Sequence, residues 1–270
     1  MKVAFIGGGN MASAIIGGLV AKDFPRGDLL VVEPDSNART RLTASFGVKA
    51  IEAPATALGE ADVIVLAVKP QAMREAARPI APLAANALVV TVAAGIRLAD
   101  LSRWLSGHER LVRAMPNMPA LVHAGVTGLF ALPAVSDGDR DAAERLLSAV
   151  GATIWFDHES DLDAVTAVSG SGPAYVFYAL EALETAAREL GIKEGAARSL
   201  ALWTFVGAAK LAIERAEGPA ALRAQVTSKG GTTERAIEVL EAGQVKEKFV
   251  EAVKAACARS HELGSSFGRD

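Results

Sequence analysis

Cysteine is almost absent: Cys257 is the one thiol in 270 residues, which excludes an internal disulfide framework. That usage fits a reducing compartment. Four histidines and one cysteine are too few for a metal cluster, so no metal is expected. Charge of either sign is not in excess. The formal net charge of -3 gives no overall electrostatic case for nucleic acid or an anionic membrane as partner. No apolar run is expected to reach the roughly 18 residues of a membrane span. After Lys2 the apolar run is only Val3 to Ile6, unlike a signal peptide. The expectation is a soluble, cytoplasmic protein.

What is present is an ordinary globular composition, 51% hydrophobic and 22% charged, long enough to bury a sizeable core as one or two domains. The first part alternates strand and helix signals. Val3 to Ile6 reads as a buried strand, and 10 to 22 as a helix with Ala12, Ile15, Ile16, Leu19 and Val20 on one face. "LLVVE" (29 to 33) is a second strand, and "ARTRLTASFG" (38 to 47) a helix stopped by Gly47. "ADVIVLAV" (61 to 68) is the strongest strand signal, halted by Pro70, and "ALVVTVAAG" (87 to 95) is another. "RLVRAM" (110 to 115), "VTGLFAL" (126 to 132) and "ATIWFD" (152 to 157) complete the set. Continuous apolar strands separated by helices predict a parallel sheet covered on both faces.

Beyond about residue 158 only helical spacing remains, at 173 to 191, 193 to 216, 232 to 243 and 245 to 264. The predicted fold is therefore α/β: a Rossmann-type doubly wound domain over 1–157, then an all-helical domain over 158–270. The helix at 193 to 216 is apolar on much of its surface, with Leu200, Leu202, Trp203, Phe205, Val206, Leu211 and Ile213. Such a helix needs cover on more than one side, which predicts dimerisation through this domain.

Gly7, Gly9 and Ala12 fit G-x-G-x-x-[G/A] between a strand and a helix, the context in which that pattern binds a dinucleotide. The first glycine allows the turn, the second lets backbone approach a pyrophosphate, and the small third residue lets helix and strand pack. Glu33 ends the second strand, where an acidic group bonds ribose hydroxyls and favours NAD. Arg39 and Arg41 would instead meet a 2′-phosphate, or form a solvated helix face. Lys69 and Pro70 follow the "LAV" strand end beside the expected cofactor, and small residues in "VAAG" (92 to 95) leave room for a nicotinamide or simply pack the sheet tightly.

Two further clusters join hydroxyls and glycines at helix starts, "VSGSGPAY" (168 to 175) and "VTSKGGTTERAI" (226 to 237). Pro173 suits a first helical turn, with Ser169 and Ser171 as caps. Each alone reads as an N-cap and a close helix crossing; paired with a nucleotide domain, the two would make an anion pocket of backbone N–H groups.

Together with "FIGGGNMA" (5 to 12), "LAVKPQ" (66 to 71), "VAAG" (92 to 95), "RAMPNMPA" (113 to 120) and "QVTSKGGTT" (225 to 233), these motifs run in an order that resembles the pyrroline-5-carboxylate reductase family over essentially the whole chain. The resemblance implies reduction of the cyclic imine 1-pyrroline-5-carboxylate to L-proline by NADPH or NADH. It implies a homodimer through the helical domain, with dimers often assembled into a decamer; the charge balance already argues for no nucleic-acid and no membrane partner. Carried over by position, Ile6, Gly7, Gly8, Gly9, Asn10 and Met11 hold the pyrophosphate and Glu33 faces the adenosine ribose. Ala67, Val68, Lys69, Pro70, Val92, Ala93 and Ala94 line the nicotinamide side. The N–H groups of Thr232 and Thr233 bind the substrate carboxylate, with Gly231, Ser228, Gln225, Glu159 and Thr166 as neighbours. Thr233, Ser228 and Thr166 are the candidate catalytic hydroxyls, Thr233 or Thr166 bonding the imine N–H with water as proton source. Glu33, Pro54 and Lys229 depart from residues common in the family, which carries small polar residues, asparagine and proline there.

Competing readings are a related cyclic-imine reductase, a non-catalytic nucleotide sensor, and a 3-hydroxyacid dehydrogenase. The last needs a lysine base on the helix after "VSGSGPAY", which has none before Lys193.

Overall fold

The computed structural model describes residues 1–267. They form two compact units: Met1–Ser171 completed by the chain from Ala256 onward, and Gly172–Ala255. In the first unit, strand β1 (Val3–Ile6) passes through the glycine turn into helix α1 (Asn10–Ala21). Next come β2 (Leu29–Val32), α2 (Ser36–Phe46), β3 (Lys49–Ile51) and β4 (Val63–Leu66). They are followed by α3 (Met73–Ile80), β5 (Leu88–Thr91), α4 (Leu98–Trp104) and β6 (Leu111–Met115). β7 (Gly125–Ala131), α5 (Asp137–Leu147), β8 (Gly151–Trp155) and α6 (Asp161–Val165) complete the unit up to a π-turn at Thr166–Gly170.

The eight strands form one sheet in the order β3-β2-β1-β4-β5-β6-β7-β8. The chain leaves β1 in one direction and returns beside it at β4, so the strand order reverses there. A crevice opens at such a switch point, beyond the carboxyl ends of the strands. Strand pleating explains the apolar runs. Val3 and Phe5 enter one core cluster while Ala4 and Ile6 enter the other. In β4, Val63 and Val65 divide in the same way from Ile64 and Leu66. Both faces are thus buried, as a sheet flanked by helices requires.

The sheet is not wholly parallel, which corrects the expectation from strand–helix alternation. β7 pairs antiparallel with β6, Val112 opposite Ala131 and Met115 opposite Gly128. The connection between them holds only the 3-10 turn Met118–Val122. A parallel crossover needs about a dozen residues or more. β8 returns to parallel pairing with β7 across α5.

Local signals account for the helix ends. Asp35 caps α2, its carboxylate accepting from the N–H groups of Asn37 and Ala38. Gly47 ends α2 with φ +68°, the left-handed turn that glycine adopts without strain.

The second unit holds α7 (Gly172–Glu189), α8 (Glu194–Glu214), α9 (Pro219–Gln225), α10 (Thr232–Ala242) and the start of α11 (Val245–Phe267), with no strand among the described residues. Within the chain α8 buries only Ala197 and Ala201, and Trp203 is 71% exposed. Contrary to the expectation from sequence, α8 is long and apolar enough, by length and composition, to cross a membrane. Arg198 and Lys210 interrupt its apolar run, but no charged residue lies between them.

Candidate functional site

The turn after β1 is built for close approach. Gly7 has φ +96°, and its N–H donates to the carbonyl of Val32 at 2.8 Å. A Cβ there would lie 2.8 Å from the carbonyl oxygen of Ala67, so only glycine fits. A Cβ on Gly8 would meet Leu42 Cδ1 at 2.5 Å. Gly9 differs: nothing lies within 4 Å of where its Cβ would be. Gly9 is also the N-cap of α1 and supplies no side-chain acceptor. The first-turn N–H groups, including those of Asn10 and Met11, are thereby left for an external acceptor. Ala12 is fully buried against the core behind them. This open cradle at a helix N-terminus fits a pyrophosphate.

Neighbouring strand ends are tied to the turn. The Ala67 N–H donates to Ile6 O at 2.8 Å and the Val92 N–H to Leu66 O at 3.1 Å. Ile6 to Met11, Ala67 to Pro70 and Val92 to Ala94 therefore lie along one edge of the sheet. Lys69 and Ala94 are exposed there, whereas Ala93 is buried. Glu33 joins this edge from β2. Its Oε2 accepts from the Gly8 N–H at 2.7 Å and its Oε1 from the Asp35 N–H at 2.9 Å. Arg39 is not a solvated side chain: Nη1 donates to the carbonyls of Glu33 and Pro34 at 2.8 and 2.7 Å.

Glu159, also in the first unit, is held from two sides. Its Oε1 accepts from the N–H of Leu98 at 2.8 Å and from Arg113 Nη1 at 3.2 Å. Arg113 is 4% exposed. Its Nη2 lies 4.0 Å from Asp163 Oδ1, which accepts from Ser260 Oγ at 2.7 Å. The segment before Leu98 is clasped as well: Arg97 Nη2 donates to Ser265 Oγ at 2.9 Å. A Cβ on Gly95, where φ is +75°, would sit 3.1 Å from the Phe267 ring. Sequence reasoning did not single out Arg113, Asp163 or Ser260. An arginine inside the apolar strand "LVRAM" was the available signal, since a buried charge needs a partner.

Thr166 begins the π-turn, and its hydroxyl donates to the Leu162 carbonyl at 2.7 Å. Ser169 does not cap a helix as expected; its Oγ donates to Val165 O at 2.9 Å. The N–H of Ser171 is bonded to Thr166 O at 2.8 Å. Pro173 lies in the first turn of α7, as expected, just beyond the π-turn. Π-bulges of this kind are frequent at functional sites.

The second cluster does form a helix start. Gly230, at φ +73°, turns the chain, and Gly231 is the N-cap of α10 with no side-chain cap. The Gly230 N–H donates to Glu234 Oε2 at 2.6 Å. Thr232 and Thr233 are the first helical residues, whose N–H groups have no partner within the helix. Ser228 and Gln225 lie just before them and are exposed, in the second unit with Gly231, Thr232 and Thr233.

A doubly wound sheet with an open glycine cradle, followed by helices, defines a dinucleotide-dependent oxidoreductase. Comparison with known proteins agrees. A family model described as pyrroline-5-carboxylate reductase dimerisation matches residues 159–263, and one described as NADP oxidoreductase, coenzyme F420-dependent, matches 2–95. The pyrroline-5-carboxylate reductase of Pseudomonas aeruginosa is 43% identical over 269 residues, 99% of this chain and 98% of its own. The solved structure of that enzyme from Coxiella burnetii aligns with a TM-score of 0.93 and 39% identity over 97% of this chain and 98% of the other. The Plasmodium falciparum enzyme, solved with NADP bound, gives 0.85 and 26% over 98% of each. The chain belongs to the pyrroline-5-carboxylate reductase family.

Proposed function

We propose that this reductase converts 1-pyrroline-5-carboxylate to L-proline, with NADH or NADPH held at the glycine turn. The observation that carries the cofactor half is the turn itself: left-handed at Gly7, open at Gly9 and uncapped at α1. Ile6 to Met11 would hold the pyrophosphate, Glu33 the adenosine ribose, and Ala67 to Pro70 with Val92 to Ala94 the nicotinamide side. When bound, the reduced nicotinamide supplies the hydride for the C=N carbon.

The remaining work is orientation and charge. The N–H groups of Thr232 and Thr233 bind the substrate carboxylate at the positive end of α10. Gly231 keeps the approach free of a side chain, and Ser228, Thr233 and Gln225 offer polar neighbours. The protonated imine is already electrophilic, so holding it in line supplies much of the acceleration. Thr166 gives its hydroxyl proton to Leu162, so toward substrate its oxygen can only accept. It would accept a hydrogen bond from the N–H of the protonated imine and favour the charged form, with water as the source of the imine's proton. Glu159 acts less by contact than by holding Leu98 and Arg113, and so the segment that carries Val92 to Ala94.

The division proposed is a nucleotide domain over 1–157 and a dimerisation domain over 158–270, in a cytoplasmic homodimer that assembles further into a decamer. Exposed Phe177, Leu200 and Trp203 support burial against a second copy. A second copy, rather than a bilayer, would cover α8. Sedimentation at micromolar concentration showing only monomer would overturn the dimer.

The test of activity is absorbance at 340 nm with pyrroline-5-carboxylate and either cofactor. Oxidation of one or both is expected. Cofactor binding without turnover would instead favour the sensor reading, or a different cyclic imine. Thr233→Ala should raise the substrate KM; unchanged turnover and affinity would remove Thr233 from the site.

A further inference from the structure

Resting on this reading, we infer that Glu33 is a built-in discriminator against the 2′-phosphate, so that the enzyme selects NADH over NADPH. A carboxylate at the end of β2 stands where a dinucleotide's adenosine ribose is read. In this chain the carboxylate cannot swing aside freely. Both of its oxygens are hydrogen-bonded to backbone, Oε2 to the Gly8 N–H at 2.7 Å and Oε1 to the Asp35 N–H at 2.9 Å. Each oxygen keeps a second lone pair, enough to accept the two ribose hydroxyls. A phosphate in place of the 2′-hydroxyl has no proton to donate and brings like charge to a fixed anion.

Compensation by the cation nearest in sequence is also hindered. Arg39, the arginine closest in sequence, is drawn back onto the carbonyls of Glu33 and Pro34 at 2.8 and 2.7 Å. Its other nitrogen lies 3.6 Å from Glu52 Oε2. Turning it toward a phosphate would break bonds that hold the end of β2. Asp35 adds a second carboxylate beside the first, itself fixed by the N–H groups of Asn37 and Ala38. Arg41, exposed on α2, is the cation left for a phosphate, set against two anchored acids.

The test uses the full chain. Dissociation constants for NADH and NADPH are measured by nicotinamide fluorescence, without substrate, and kcat/KM for each with pyrroline-5-carboxylate. NADH should be favoured by about tenfold or more in both, the size of a repulsion of about 1.4 kcal/mol. Glu33→Ser should move the ratio toward NADPH, chiefly by tightening NADPH. Glu33→Gln, which keeps the shape and an acceptor oxygen, should move it the same way and serves if the serine variant misfolds. Equal or tighter binding of NADPH by the unaltered protein would overturn the inference. So would a ratio that neither variant changes. A preference for NADH in binding without turnover of the imine would leave the discriminator standing and remove the proposed reaction.

Discussion

The side chain of Glu159 reaches 61 residues back along the chain to the N–H of Leu98, 2.8 Å away, at the first turn of α4. The same oxygen is 3.2 Å from Arg113. One carboxylate thus caps a helix, neutralises a buried arginine and pins the end of the segment proposed to border the nicotinamide. Removing it disturbs all three.

Glu159→Ala should therefore destabilise the protein by about 2–4 kcal/mol, because Arg113 loses its nearest counter-charge in a buried setting. Asp163 at 4.0 Å would offset part of the loss. Glu159→Gln retains an acceptor for Leu98 and should lose less. Thermal unfolding at a fixed protein concentration ranks the three proteins, since an oligomer's midpoint depends on concentration.

Gly7 and Gly9 should respond differently to the same methyl group. Gly7→Ala puts a Cβ against Ala67 at a positive φ, and costs about 1–3 kcal/mol of stability as well as cofactor binding. Gly9→Ala has room in the protein and an ordinary φ of -71°. It should leave the unfolding midpoint in place and weaken cofactor binding. Calorimetric titration of both variants separates the strained turn from the obstructed cradle.

Thr166→Val keeps the branched shape but removes the oxygen. An acceptor facing a charged N–H is worth about 1.5–3 kcal/mol, so kcat/KM for the imine should fall by at least about tenfold. Cofactor dissociation constants should stay where they were, and Thr166→Ser should recover most of the activity. A loss in the valine variant that serine does not rescue would assign Thr166 to folding of the π-turn alone.

His108, in the connection from α4 to β6, gives a pH signature separate from catalysis. Burial pushes its pKa below the usual 6.5, and hydrogen bonding to backbone at Ala87 and Arg110 opposes the shift only in part. The unfolded chain therefore binds the proton more readily than the folded one. The stability tied to neutral His108 is full above pH 6.5 and declines as the pH falls toward the lowered folded value. His108→Phe should flatten that segment of the stability profile, followed by denaturant midpoints across pH.

Much of the cofactor edge was legible because its signals are local. The Val3–Ile6 run, the glycines at 7 to 9 and the buried Ala12 lie within ten residues of one another. Gly47 and Pro70 likewise announce their own turns. β3 escaped notice because it is three residues long and none is fully buried. α3 was obscured by Pro79 inside it, and α5 by a polar sequence whose Ser136–Asp139 capping box was the overlooked cue. The antiparallel β7 hinged on connection length rather than on anything in the strand itself. Arg113 declared a need for partners, but Glu159, Asp163 and Ser260 lie 46, 50 and 147 residues away in sequence, too far for spacing to pair them. The serines at 169 and 171 looked like caps because local chemistry does not reveal the π-turn that takes up the Ser169 hydroxyl and the Ser171 N–H.

Helix α11 begins in the second unit and ends in the first, where Ser260 meets Asp163 and Ser265 meets Arg97. The order of synthesis then matters. A ribosome delivers the N-terminal residues first, and such segments commonly fold as they emerge. Here the sheet can assemble early, but the clasp around residues 95 to 97 must wait for residues made almost last. A nascent chain halted before Ser260 would carry the whole glycine turn and still leave its neighbouring segment unfastened.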